Sequence, residues 1–130
     1  MCVFCEIIKG NIPSSKVYED DRVLAILDLS QTTKGHTLVM PKKHYEDLSA
    51  IPSDELMDLM SKVQMIAKHL EKVLNAKGYN ILINKGEVAG QTMMHLHVHI
   101  IPRYSEDDTI KIEFSENKYD LNSLSNEVKL

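Results

Sequence analysis

Apolar residues recur along this chain at two different spacings. Between residues 56 and 74, Leu56, Leu59, Met60, Val63, Ile66, Ala67, Leu70, Val73 and Leu74 fall three and four apart, the period of one face of an α-helix. Ser53 is placed to cap its start, with Asp54 and Glu55 in a first turn whose dipole favours negative charge. Lys77-Gly78 is expected to end it, a basic residue followed by a glycine able to take left-handed backbone. The remaining apolar runs are short and punctuated. Phe4 to Ile8 predicts a helical turn stopped at Gly10. Lys16–Glu19 and Val23–Leu27, on either side of Asp20-Asp21-Arg22, predict a hairpin. Strands are further predicted at His36–Met40 before Pro41, at Tyr79–Asn84, and from Met94 to Arg103. This order, with one long helix amid short strands, gives an α+β fold in which helices cover an antiparallel sheet.

Residues 104–130 are polar, with a short helix expected over Leu121–Val128, and this tail is expected to wrap the body or a partner subunit. No repeat of 20 to 50 residues is present, which removes solenoid architectures. At 130 residues one domain accounts for the chain. A net charge of −4 gives no general attraction to nucleic acid or to an anionic membrane. Neither a leader-like N-terminus nor an apolar run of about 20 residues is found, so a cytoplasmic location is expected. The methionines of the long helix and His69 read as packing or surface residues.

Chemistry concentrates in His95-Leu96-His97-Val98-His99, which holds three of the six histidines. In a strand these three imidazoles share one face at roughly 6 to 7 Å spacing, while Leu96, Val98 and Ile100 face a core. Imidazole can act as nucleophile, acid, base or metal ligand near neutral pH. Just upstream, Lys85 to Thr92 carries Gly86 and Gly90, which let backbone N–H groups approach an anion such as phosphate. Cys2 and Cys5 form a C-x-x-C pair, half of a zinc site or a redox couple.

Taken together, Cys2-Val3-Phe4-Cys5, Val17-Tyr18-Glu19-Asp20, Leu27-Asp28-Leu29, Gly35-His36 through Pro41-Lys42-Lys43-His44, Asn84-Lys85-Gly86, Ala89-Gly90-Gln91 and His95 through Arg103 resemble the histidine triad (HIT) family of nucleotide hydrolases and transferases. The likeness is greatest to its nucleoside phosphoramidase, or protein kinase C interacting, branch. The resemblance implies a HIT-like fold with a five-stranded antiparallel sheet, one long helix and a short N-terminal helix, forming a ten-stranded sheet across a homodimer. Residues 1–103 would be the domain core and 104–130 an extension packed on the same domain.

It further implies cleavage at the α-phosphate of a purine nucleotide, an AMP or GMP derivative, through a nucleotidyl intermediate on His97. His99, His95 and His36 would assist. Asn84, Gly90, Gln91 and Thr92 would meet the phosphate or the leaving group, Asp28 the ribose, and Phe4, Ile7, Ile26 and Leu29 the base. A structural zinc would be held by Cys2, Cys5, His44 and His95. Three other readings compete: a dinucleoside polyphosphate hydrolase, a catalytic metal bound by all three histidines, and a nucleotide-binding or scaffold protein with little turnover.

Overall fold

Both faces of the central strands are apolar, so the sheet must be covered on both sides. The computed structural model describes residues 1–130. Helix α1 (Val3–Ile8) leads into β1 (Lys16–Glu19), β2 (Val23–Leu27) and β3 (Thr37–Pro41), followed by α2 (Ser53–Val73), β4 (Gly78–Ile83), β5 (Val98–Arg103) and α3 (Leu121–Val128). The strands form one sheet in the order β1-β2-β3-β5-β4, every neighbouring pair antiparallel. No helix is long and apolar enough to cross a membrane.

Strand alternation sorts the core into two layers. Val23, Ala25, Val39, Val98 and Ile100 point to one face, where they meet Leu59, Val63, Ile66, Ala67 and Leu70 of α2. Burying each of the larger side chains contributes roughly 1.5–3 kcal/mol. Leu24, Ile26, Leu38 and Met40 point the other way, against Phe4 and Ile7 of α1. The two covers differ in length: 21 residues of α2 span about 31 Å, and six residues of α1 only about 9 Å. Five strands at about 4.8 Å spacing are wider than α1 can cover. A cleft is therefore left open on the α1 face, and His99, paired with Leu38 and Leu82 across the ladders, faces it.

Several boundaries differ from those expected. Ser53 is the first helical residue of α2 and Pro52 its cap, without a side-chain hydrogen bond. The far end closes at Asn75, whose φ of 53° is left-handed. Asn75 N–H donates to Lys72 O and Ala76 N–H to Glu71 O, a Schellman arrangement. Gly78 is not the helix stop; it opens β4 opposite Arg103. The histidine strand starts at Val98 and not at Met94, because Leu96 N–H donates to Tyr45 O in a loop and so leaves the ladder.

After β5 the chain is tied down briefly. Arg103 Nε donates to Asp108, Tyr104 O–H to Lys34 O, and Thr109 O–H to Thr32 O. Residues 111–130 are exposed throughout, and α3 caps itself through Asp120.

Gly35, next to His36, has φ of +92°, and a Cβ there would press on the Leu74 methyl and on Pro102 Cγ. Gly35→Ala is expected to cost about 1–3 kcal/mol of stability, measured as a lower urea midpoint at unchanged slope. An unchanged midpoint would show that the loop relaxes freely.

Candidate active site and adjoining metal cluster

The cleft on the α1 face has a volume of about 500 Å³, within the range of small-molecule sites. Phe4, Ile7, Ile26, Asp28, Leu29, His36, Asn84, Gly90, Thr92, His97 and His99 all line it, so the fold gathers most of the expected residues into one wall. Phe4, Ile7 and Ile26 are buried in its apolar floor, whereas Leu29 is fully exposed at the rim. Thr32, Leu38, Leu82, Met93 and Ile110 also line it. Sequence reasoning passed over these five. Thr32 and Ile110 carry no motif signal, and Leu38 and Leu82 would have emerged only from the strand register opposite His99.

Hydrogen bonds to backbone carbonyls fix the imidazoles, because a carbonyl can only accept. His97 Nδ1–H donates to His95 O at 2.8 Å, which leaves its Nε2 as the nitrogen with a free lone pair. The Phe4 ring stands edge-on to His97 with centroids 5.1 Å apart and holds its plane. Next to it, His99 and His97 have centroids 5.0 Å apart. His36 Nδ1 accepts the Thr32 N–H at 3.4 Å, so its Nε2–H donates to His99 Nδ1 at 2.9 Å. Asp28 Oδ2 lies 3.6 Å from the same His36 nitrogen. Burial, and then the proximity of His97 and His36, push His99 down to about 4, so it is neutral at pH 7.

The glycine loop carries a 3₁₀ turn over Glu87–Ala89, bracketed by Gly86 and Gly90 at φ of 90° and 99°. A Cβ on Gly90 would lie 3.3 Å from the Asn84 side-chain amide. Gln91 is placed differently from expectation. Its side chain is buried and turned inward, accepting from Gly86 N–H and donating to Glu46 O and Met93 O. It braces the loop and does not line the cleft.

His95 is also turned out of the cleft. Its buried Nε2–H donates to Pro41 O at 2.8 Å, so Nδ1 carries the lone pair. That nitrogen lies 3.4 Å from Cys2 Sγ, 3.5 Å from Cys5 Sγ and 3.1 Å from His44 Nδ1. The four donor atoms all lie within 4.8 Å of one another and could hold a metal ion. Separations of 3.1 to 3.5 Å approach the edges of a tetrahedron built with zinc bonds of about 2.0–2.3 Å. Burial, followed by Cys2, holds the Cys5 thiol above its ordinary range in the metal-free chain. Because His95 points its lone pair into this cluster, the three histidines do not converge on one ion. Asp28, His36 and His99 also lie close enough to be considered together. There, however, His36 Nε2 carries the hydrogen that it donates to His99 Nδ1 at 2.9 Å, so the facing nitrogens are already paired with each other.

One antiparallel sheet, covered unequally on its two faces, thus presents an imidazole-lined cleft beside a two-cysteine, two-histidine cluster, a candidate histidine-based site. The HIT domain model matches residues 9–106, and the chain belongs to the HIT domain family. It is 49% identical to an uncharacterised HIT-like protein of Methanocaldococcus jannaschii over 130 residues, covering 99% of both chains. With the adenosine 5′-monophosphoramidase HNT1 of Saccharomyces cerevisiae it shares 38% identity over 123 residues, 95% of this chain and 75% of the yeast protein. Among solved structures, a HIT family member from Bacillus subtilis superposes with TM-score 0.92 at 43% identity, covering 98% of this chain and 94% of that one. A zinc-bound histidine triad protein from Mycobacterium smegmatis gives 0.79 at 40% identity, covering 94% and 86%.

The depressed His99 gives a pH signature. Between about 6.5 and about 4 the unfolded chain takes up a proton there that the folded chain refuses, so stability falls as pH drops through this window. Urea midpoints from pH 7 to 4 should show that decline, with a shallower slope for His99→Gln. Equal slopes in the two proteins would refute the assignment.

Proposed function

We propose that the chain is a nucleotide hydrolase or nucleotidyl transferase that cleaves the bond at the α-phosphate of a purine nucleoside 5′-phosphoramidate through a covalent nucleotidyl-His97 intermediate. The observation that carries this reading is the orientation of His97. Donation of its Nδ1–H to His95 O makes Nε2 the lone-pair nitrogen of the neutral ring, on a side chain that lines the cleft, which is what a nitrogen nucleophile requires. Attack on phosphorus forms the His97–phosphorus bond and breaks the bond to the leaving amine, which takes a proton drawn from solvent by way of His99 Nε2–H, the equivalent that the attacking water gives back in the second step. Water then attacks the phosphorus, the bond to His97 breaks, and the nucleoside monophosphate is released. His99, neutral and hydrogen-bonded through Nδ1 to His36, keeps its other ring nitrogen as a donor for a phosphate oxygen or the leaving group.

The lining divides by chemistry in the same sense. Phe4, Ile7 and Ile26 give an apolar slot for a base, Asp28 a carboxylate for ribose hydroxyls, and Asn84, Thr92 and the Gly90 backbone polar groups for the phosphate. The two glycines admit the loop backbone close to charge that develops there. The yeast relative, by name an adenosine 5′-monophosphoramidase, supports the substrate class.

Zinc belongs to the same proposal. Cys2, Cys5, His44 and His95 would hold it, a set of borderline-soft donors suited to a closed structural site. Bound there, zinc would pin α1 beside the histidines. The paired free cysteines also suit a reducing cytoplasm. Edge strand β4, with Ile81 and Leu82 exposed, would pair with a second copy to extend the sheet to ten strands across a homodimer.

The test is AMP release from adenosine 5′-phosphoramidate. His97→Ala is expected to lower kcat at least about 1,000-fold, with acid-labile nucleotide trapped on the wild-type chain alone. Unimpaired turnover by His97→Ala would overturn the mechanism, and cleavage of diadenosine polyphosphate alone would move the substrate.

Metal analysis of purified protein is expected to find about one zinc per chain, falling well below that in Cys5→Ser. Chelation should lower the melting temperature while most turnover survives. Loss of all turnover on chelation, restored by zinc, would contradict a structural role.

A further inference from the structure

Asp28 and His36 stand at the two ends of one loop, and both side chains face the cleft. Backbone pairing joins the loop ends only once, through Asp28 N–H to His36 O at 2.9 Å. Asp28 Oδ2 also lies 3.6 Å from His36 Nε2, and Ser30 N–H donates to Asp28 Oδ1 at 2.8 Å, but the remaining hydrogen bonds to the two backbone carbonyls come from a single side chain. Gln31 Nε2 donates to Asp28 O at 2.6 Å and to His36 O at 2.8 Å, and its Oε1 accepts Gly35 N–H at 2.8 Å. Gln31 itself does not line the cleft.

We propose that Gln31 is a positioning residue: its amide closes the loop between Asp28 and His36 and so sets the geometry of the carboxylate and of the His36–His99 pair. This rests on the catalytic reading of the cleft. Three features favour such a role over that of a general loop brace. First, all three bonds fall on backbone groups of Asp28, His36 or the residue next to His36. Second, the neighbouring Thr32 N–H supplies the bond to His36 Nδ1. The loop path beside Gln31 thus decides which His36 nitrogen carries hydrogen and can donate to His99. Third, the loop is fastened to the body elsewhere, by Thr33 O–H to Pro102 O at 2.6 Å and by Tyr104 O–H to Lys34 O at 2.6 Å. Loss of Gln31 therefore leaves the loop attached while loosening its two cleft-facing ends, whose backbones are then joined only by the Asp28 N–H bond to His36 O beyond the β2–β3 ladder.

A shorter amide falls short by one methylene and cannot span both carbonyls. A carboxylate of the same length keeps the bond from Gly35 N–H but has no hydrogen for Asp28 O or His36 O. Gln31→Ala and Gln31→Glu are therefore both expected to lower kcat for adenosine 5′-phosphoramidate about tenfold, with a smaller change in KM. In a His36→Ala background the further loss should be under about twofold, since residues acting through one another are non-additive. The full-length ¹⁵N-labelled protein supplies a readout independent of turnover. The imidazole nitrogens of His36 and His99 should report single fixed tautomers in the wild type and averaged signals in Gln31→Ala.

A wild-type imidazole spectrum together with wild-type kcat in Gln31→Ala, or wild-type kcat in Gln31→Glu, would overturn the proposal. A fall in melting temperature with kcat unchanged would also overturn it, leaving Gln31 a structural brace. Failure of the catalytic reading shows separately, as turnover that survives His97→Ala, and the imidazole spectra still decide whether Gln31 holds the pair.

Discussion

One hydrogen bond, from buried His95 Nε2–H to the Pro41 carbonyl, organises everything around the cleft. It takes up a carbonyl at the end of β3, just past the residues of that strand that pair with β5. It also settles the tautomer of His95, sending the lone pair of Nδ1 away from the cleft and into the cysteine pair. The carbonyl of His95 then accepts from His97 and settles that ring in turn. Two imidazoles two residues apart thereby turn opposite ways, one toward the cysteine pair and one toward the cleft. A lone pair in the wrong place on either ring would leave a buried acceptor facing a carbonyl acceptor, which costs about 1–3 kcal/mol.

The second constraint is the unequal cover of the sheet. Helix α2 runs the length of one face and buries a continuous apolar layer, whereas α1 is short and buries only Phe4 and Ile7 against the other. The uncovered part becomes the cleft, so His99 on β5 and His97 just before it need no special backbone to reach it. Because α1 also carries Cys2 and Cys5, the element that forms the cleft floor is the one that the metal cluster would fix. Floor and cluster are mechanically one unit, which couples the position of Phe4, and through it the plane of His97, to the state of the cysteines.

Loops supply the polar part of the site by two devices. The segment between β4 and β5 uses glycines at positive φ, one of which lies against Asn84, together with an inward-turned Gln91 that binds three backbone groups. Between β2 and β3 an outward-lying Gln31 closes the loop. An amide can donate and accept at once, so in each case one side chain satisfies several backbone groups that no ladder reaches.

Periodicity alone disclosed the α+β architecture, all five strands, the long helix and the C-terminal helix, because helix and strand patterns follow from near-neighbour geometry. The clustering of histidines, the cysteine pair and the glycine loop likewise pointed to much of the cleft lining and to Cys2, Cys5 and His95 of the grouped donors, while His44 came only with the family resemblance. What only tertiary structure decided were matters of partner. His95 meets Pro41 across 54 residues and Cys2 across 93, so neither its tautomer nor its departure from the strand face could be read locally. Gln91 looked available to phosphate until Glu46 and Met93 claimed its donors. The stop of α2 moved to Asn75 because Gly78 was needed opposite Arg103. A residue's chemistry is written in its side chain, but the nitrogen or oxygen that remains free to act depends on acceptors and donors brought in from distant parts of the chain.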